Sequence, residues 1–241
     1  MRKETIQDLQ KLANKYEHVM EVMEHDAAKS MRDDNRAYGG FVRAAKGKIQ
    51  EFITERLIRI AWDTELKAAP ERLTINSEKI RIPIQKNYVN SLKNKEVQNY
   101  ITSNFTKYSY GLSVDKHAFV DKKFVLGAEC KAYTENAMLK RILVDFFLLK
   151  TKFPTLKCYL FQLESQLGGD YSKAESNPMG SYPTHTIMSY FDSVELNIIT
   201  LLAGERKVNR PINKPDFFKP LTVDHLQIGI SYLLEPLKSI A

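Results

Sequence analysis

Apolar residues recur at three- and four-residue steps through Ile6, Leu9, Ala13, Tyr16, Met20 and Met23, which predicts a helix over 4–30. The pair Gly39-Gly40 is expected to break that pattern. A second helix is expected over 41–66, with Val42, Ala45, Ile49, Phe52, Ile53 and Ile60 on its apolar side. Over 72–84 the pattern turns to β character, and Lys79-Ile80-Arg81-Ile82-Pro83-Ile84 alternates strictly. Residues 86–102 read as a short helix. Two strands follow, over 108–120 and 123–132, with Asp121-Lys122 at the turn between them. The helical period returns over 135–150 in Met138, Leu139, Ile142, Leu143, Phe146 and Phe147, and Pro154 stops it. The apolar run Leu156–Leu163 reads as a buried strand parallel to 123–132, reached across that helix. A Gly-, Ser-, Asn- and Pro-rich stretch over 168–184 reads as a loop. Residues 192–203 are apolar and stay open between strand and helix, 204–220 look irregular, and 222–238 read as a last helix.

Strand, strand, helix, strand after a helical beginning gives an α/β core, a central mixed sheet flanked by helices. With no repeat, low-complexity tract or Gly/Ser linker, one domain over 1–241 is the simplest organisation: a helical N-terminal part at 1–70 and a core at 105–165.

Composition narrows the class. Hydrophobic residues make up 43% of the chain, which suits a globular protein. Cys130 and Cys158 both lie in apolar, strand-like runs, the usage of buried thiols in a reducing compartment. No His/Cys cluster has zinc-ligand spacing. No apolar run follows the basic residues of the N-terminus, and no stretch reaches the apolar length of a membrane span, so the expected location is the cytoplasm. Lys and Arg exceed Asp and Glu by 36 to 29, and the resulting +7 suits a polyanionic partner such as nucleic acid.

The candidate chemistry sits in the two central strands. Cleaving a phosphodiester needs a metal to activate water and a positive group near that water. Glu129 and Lys131 are two residues apart, so on a strand they share a face, while Cys130 points to the other side. The Cys130 main-chain carbonyl is a possible further metal ligand. If the turn is centred near Lys122, Asp115 lies almost opposite Glu129, at a Cβ separation of about 5 Å. Two like charges so close call for a cation between them. Four acidic-x-Lys triplets occur, at Glu65, Asp121, Glu129 and Glu205, and only the third lies on an apolar strand with an Asp at hairpin distance. Asp121 is the rival for the Asp role, but it falls in the turn.

The run VDKHAFVDKKFVLGAECK, residues 114–131, resembles the signature of the PD-(D/E)XK nucleases: an Asp at the start of one strand and a Glu-x-Lys on the next. Val114 stands where that signature has proline, which removes no ligand. The resemblance implies a restriction-endonuclease-like core in which Asp115 and Glu129 bind Mg²⁺ and Lys131 positions or polarises the water. Arg43–Glu51 resembles the N-terminal helix of many type II restriction enzymes, which supplies a further acidic residue; Glu51 is the first choice and Glu55 the second. The segment Arg210–Phe218 also has that look, without a chemical role. The implied activity is Mg²⁺-dependent, sequence-specific cutting of double-stranded DNA by a homodimer, with a cognate methyltransferase encoded nearby. The alternatives are a structure-specific repair or recombination nuclease of the same fold, or a non-catalytic DNA-binding protein.

Several neighbours are candidate DNA contacts. His117 lies two residues from Asp115 and is placed to touch a phosphate. Tyr133, Asn136, Lys140 and Arg141 follow the Glu129 strand into the helix. Asn, Lys and Arg are the usual readers of base edges, and equally such residues cap a helix and coat its solvated face. Gln162, Glu164 and Gln166, at the end of the next strand, are a weaker case of the same kind.

Overall fold

A computed structural model describes residues 1–30, 35–172, 181–212 and 214–241, with side chains at 1–23, 44–172, 181–212, 214 and 216–241. Helix α1 (Lys3–Ser30) buries Leu9, Leu12, Ala13, Tyr16, Met20 and Met23, the stripe that its spacing marks. Helix α2 (Asn35–Arg59) starts before Gly39-Gly40 and runs through them, so the expected break is absent. Glycine weakens a helix interior by only about 1 kcal/mol per residue, and burial of Ile49, Ile53, Leu57 and Ile58 further along α2 outweighs that. A wider π-helical turn, Ile60–Glu65, ends the segment. It buries Trp62, whose indole N–H donates to the Ala69 carbonyl at 2.9 Å.

The β-rich stretch over 72–84 is two strands, β1 (Leu73–Asn76) and β2 (Ile80–Pro83), which join different sheets. The helical stretch after it is also divided, into α3 (Lys86–Ser91) and α4 (Lys95–Ser103), because the Asn94 side chain caps α4 by accepting the Val97 N–H at 3.2 Å. The expected strand over 108–120 likewise splits. Its first part, β3 (Ser109–Leu112), pairs with β2 in a two-stranded ribbon; its second, β4 (Lys116–Val120), enters the main sheet. Between them Val114 turns inward and is buried. Its N–H donates to His117 Nε2 at 3.1 Å.

The remaining elements are β5 (Lys123–Thr134), α5 (Asn136–Lys152), β6 (Lys157–Ser165), α6 (Tyr182–Ser189), β7 (Leu196–Thr200) and α7 (Val223–Lys238). Thus 192–203 resolves as a 3-10 turn at Asp192–Val194 followed by the strand β7. The five-stranded sheet has the order β1-β4-β5-β6-β7, antiparallel across β1, β4 and β5 and parallel across β5, β6 and β7. It is the expected mixed sheet. Asp121 and Lys122, with φ of 49° and 66°, make the tight turn between β4 and β5, the left-handed pair whose twist matches a hairpin.

Alternation along the strands divides the core. Leu126, Ala128, Tyr159, Phe161 and Leu163 pack with α1, α2 and α7; Cys158 and Leu160 pack with Leu139, Leu143 and Phe146 of α5. At Gly127 an added Cβ would lie 3.0 Å from the Phe146 ring, so the glycine lets α5 approach β5 closely.

Candidate active site

The hairpin register sets the site. Lys116 pairs with Ala128 and His117 with Gly127, so one step further brings Asp115, at the bend before β4, beside Glu129. Asp115 Oδ2 accepts the Cys130 N–H at 2.7 Å and the Lys131 ammonium at 2.8 Å. The same ammonium bonds the Glu129 carboxylate and lies 3.2 Å from the Cys130 carbonyl oxygen. The structure therefore brings Asp115, Glu129, Lys131 and the Cys130 carbonyl together. Asp121 is elsewhere, in the exposed turn, paired with Arg72 at 2.8 Å.

Glu129 is only 6% exposed. Burial pushes its carboxyl up to about 7; Lys131 opposes that rise and Asp115 adds to it. Burial also disfavours ionised Asp115, but Lys131 and the Cys130 N–H outweigh it and hold that carboxyl below its ordinary range. For Lys131, burial favours the neutral amine, yet Glu129 and Asp115 prevail and raise its pKa. The Cys130 thiol, buried on the α2 side of the strand, is pushed far up by desolvation and stays protonated.

Two carboxylates and a main-chain carbonyl are hard oxygen donors, the set that suits Mg²⁺ or Ca²⁺. One ammonium already bridges both carboxylates, so the pair accepts positive charge at this place. The residues fit a hard divalent cation in donor chemistry and in charge. Among the described residues no group of three or more His, Cys, Asp or Glu side chains gathers in metal-binding fashion, so two carboxylates are what the chain brings here.

Other expected residues are placed differently. Glu51 lies 3.9 Å from Lys116, and Glu55 binds the same lysine at 3.1 Å; neither touches the Asp115–Glu129–Lys131 group. His117 must be corrected: it is fully buried, its Nε2 accepts the Val114 N–H, and its ring lies 4.9 Å from that of Phe124. Desolvation lowers its pKa to about 4, so it is neutral and has no surface to offer a phosphate. The sequence places it correctly on β4 but cannot show that the bend at Val114 folds back over it.

Tyr133 lies on the same face of β5 as Glu129 and Lys131. Asn136 opens α5 and accepts from the Thr184 hydroxyl at 2.6 Å, while Lys140 and Arg141 are exposed on the helix. Gln162 donates to Thr200 at 2.9 Å, and Glu164 is buried beside Lys219 at 2.8 Å, so Glu164 is turned into the protein. Arg206 was not singled out from the sequence, yet it stacks on Tyr133 with 3.6 Å to the ring centroid. Its triplet, Glu205-Arg206-Lys207, carries no local sign of that contact.

No protein-family model matches the chain. It is 71% identical over 240 residues to the type II restriction enzyme DdeI of Desulfomicrobium norvegicum, covering 100% of both chains. A solved structure of native BbvCI, an A2B2 tetramer, aligns with 100% of this chain and 99% of its own at 10% identity and a TM-score of 0.34, too low for the two folds to be equated.

Proposed function

The chain belongs to the type II restriction enzymes and is a site-specific deoxyribonuclease; from that premise we propose that Asp115, Glu129 and Lys131 are the centre at which it hydrolyses double-stranded DNA. The observation that supports this most is the meeting of two carboxylates, one of them almost fully buried, on a single lysine at the end of a hairpin. The alternatives of a structure-specific repair nuclease and a non-catalytic DNA-binding protein lapse with the family.

We assign Asp115, Glu129 and the Cys130 carbonyl to hold Mg²⁺. The chemistry that such an ion supplies when bound is Lewis acidity toward a phosphoryl oxygen and a more acidic attacking water. The chain's own work is positional. The Cys130 N–H fixes the Asp115 carboxylate, and the buried Cys130 side chain anchors the strand from the opposite face. Lys131 stays charged between its carboxylates. It offers positive charge where the phosphoryl oxygens become more negative, and it would offer a hydrogen bond to the attacking water once one of its three present partners, Asp115, Glu129 or the Cys130 carbonyl, is given over to the cation. The water oxygen then bonds phosphorus as that water releases a proton to solvent, one phosphorus–oxygen ester bond breaks with its electron pair on the departing oxygen, and that oxygen takes up a proton from solvent. Glu51, an outer carboxylate, would join the centre only by leaving Lys116.

Tyr133, Asn136, Lys140 and Arg141 are our candidates for DNA contact, Lys140 and Arg141 from the exposed face of α5. We place the enzyme as a homodimer, since a twofold pair of centres cuts both strands of a symmetric site. We also place it in the cytoplasm with a cognate methyltransferase encoded nearby. No described helix is long and apolar enough to cross a membrane. The test is plasmid digestion with Mg²⁺. Wild type should give discrete fragments; Asp115→Ala should give none while still binding DNA in Ca²⁺; Asp121→Ala should cut. Cleavage by Asp115→Ala together with an inactive Asp121→Ala would refute the assignment.

A further inference from the structure

Past Lys131 the same sheet face carries a second charged group. Glu164 on β6 is the register partner of Tyr133 on β5, and it is almost fully buried. Lys219 Nζ lies 2.8 Å from its Oε1 and also donates to the Glu205 carbonyl at 3.2 Å. Lys46 of α2 approaches the same carboxylate: burial lowers its pKa to about 8, Glu164 pulls it back up, and Arg206 adds repulsion. Lys219 and Lys46 thus share one buried carboxylate, Arg206 stands near Lys46, and the surplus of charge is positive.

The position of Arg206 is built by the chain. After β7, Gly204 adopts φ +73°, and nothing lies within 4 Å of where its Cβ would be, so backbone conformation and not crowding calls for glycine here. The turn lets Glu205 bridge to Ser165 in parallel and lets the Arg206 N–H donate to the Ser165 carbonyl at 2.8 Å. From there the guanidinium reaches across β6. Its Cζ lies over the Tyr133 ring, 3.6 Å from the centroid, and the group donates to Gln166 Oε1 at 2.5 Å. Both of these contacts are neutral, so neither cancels its charge. A guanidinium has five donors in a rigid plane, and a stack with one tied edge leaves donors for an anion.

We propose that Arg206, held over Tyr133, binds a backbone phosphate of the DNA and is a positioning residue that sets one strand against the Asp115–Glu129–Lys131 centre. The proposal rests on the reading that this centre cuts DNA. Tyr133 is four residues beyond Glu129 on the same strand, about 13 Å at about 3.3 Å per residue. One backbone lying along this face would therefore meet both places within a few nucleotides.

The experiment measures binding of the full chain in Ca²⁺ to two duplexes, one carrying the mapped cleavage site and one of random sequence, over a range of salt. Arg206→Gln retains a planar group and a donor for Gln166 and loses the charge. It should weaken binding about tenfold on both duplexes. It should also make the salt dependence shallower by about one counterion. Arg206→Lys should restore the slope, which a merely structural role for the stack would not predict. Arg206→Gln binding with the wild-type slope and affinity would overturn the proposal. So would a loss confined to the cognate duplex, which would make Arg206 a base reader. A wild-type chain that bound neither duplex would overturn both this assignment and the reading beneath it.

Discussion

Replacing Glu129 by glutamine should stabilise the metal-free enzyme at alkaline pH while abolishing cleavage. Glutamine keeps the shape of the protonated side chain and removes the charge. Burial lifts the Glu129 pKa from 4.5 to about 7, so the folded chain retains a proton there that the unfolded chain has released. Stability therefore falls as pH rises between those two values, and above about 7 the full cost of the buried carboxylate is present. At 1.36 kcal/mol for each tenfold step that cost is on the order of 3 kcal/mol, with the attraction of Lys131 already included. In a chain of this length it corresponds to roughly 6–12 °C in Tm. Asp115 has the opposite sign. Its pKa is held low, so its contribution is present above its ordinary value of 3.8 and disappears only on stronger acidification. The two windows do not overlap. Melting wild type and Glu129→Gln in chelator from pH 5 to pH 8 should show curves that meet near pH 5 and separate as pH rises, with the variant higher. Divalent cation should then raise wild-type Tm at pH 8 and leave the variant nearly unmoved, because only wild type retains both carboxylates. A variant less stable than wild type at pH 8, or a difference that does not change with pH, would refute the buried-carboxylate argument.

Lys131→Ala should slow single-turnover cleavage by about a hundredfold or more, and Lys131→Arg should not rescue it, since a planar fork cannot sit where a compact ammonium touches two carboxylates; near-normal cleavage by the arginine variant would remove the role given to this lysine. Gly168→Ala should destabilise the fold by about 1–3 kcal/mol in urea unfolding, because Gly168 has φ +80° and a Cβ there would lie 2.5 Å from that of Ser181. Gly47→Ala, in the interior of α2 with nothing within 4 Å, should instead stabilise by about 0.5–1 kcal/mol.

What could be read from the sequence depended on the range of the interaction. The β4–β5 hairpin was legible because a turn near Asp121-Lys122 is a local fact, but that two-residue turn alone would set Asp115 opposite Ala128; a one-residue bulge, between the pairs Phe119–Phe124 and Ala118–Leu126, shifts the register and brings Asp115 to Glu129. The β5–α5–β6 unit was legible because a helical period between two apolar runs has few other ways to fold. The 108–120 stretch was misread because its apolar pattern is continuous while its hydrogen bonds are not: residues 109–112 pair with β2 and residues 116–120 with β1 and β5. Only the partners of each half divide it, and these come from 73–83 and beyond 123. The same division explains His117. Its sequence neighbours suggest an exposed polar residue near Asp115, but the bend between β3 and β4 lays Val114 over it, and Phe124 closes the other side. Arg206 shows the limit from the opposite direction. It lies 73 residues after Tyr133 in the chain, and nothing between them announces a contact. Gly204 is the one local sign, a residue able to take a left-handed turn at the end of a strand, and where that turn aims the next side chain is decided by Ser165 on β6. The catalytic pair is therefore a property of one hairpin. The charge around it, and the path it offers to DNA, belong to the packing of segments remote in sequence, where substitutions should alter binding without touching the chemistry.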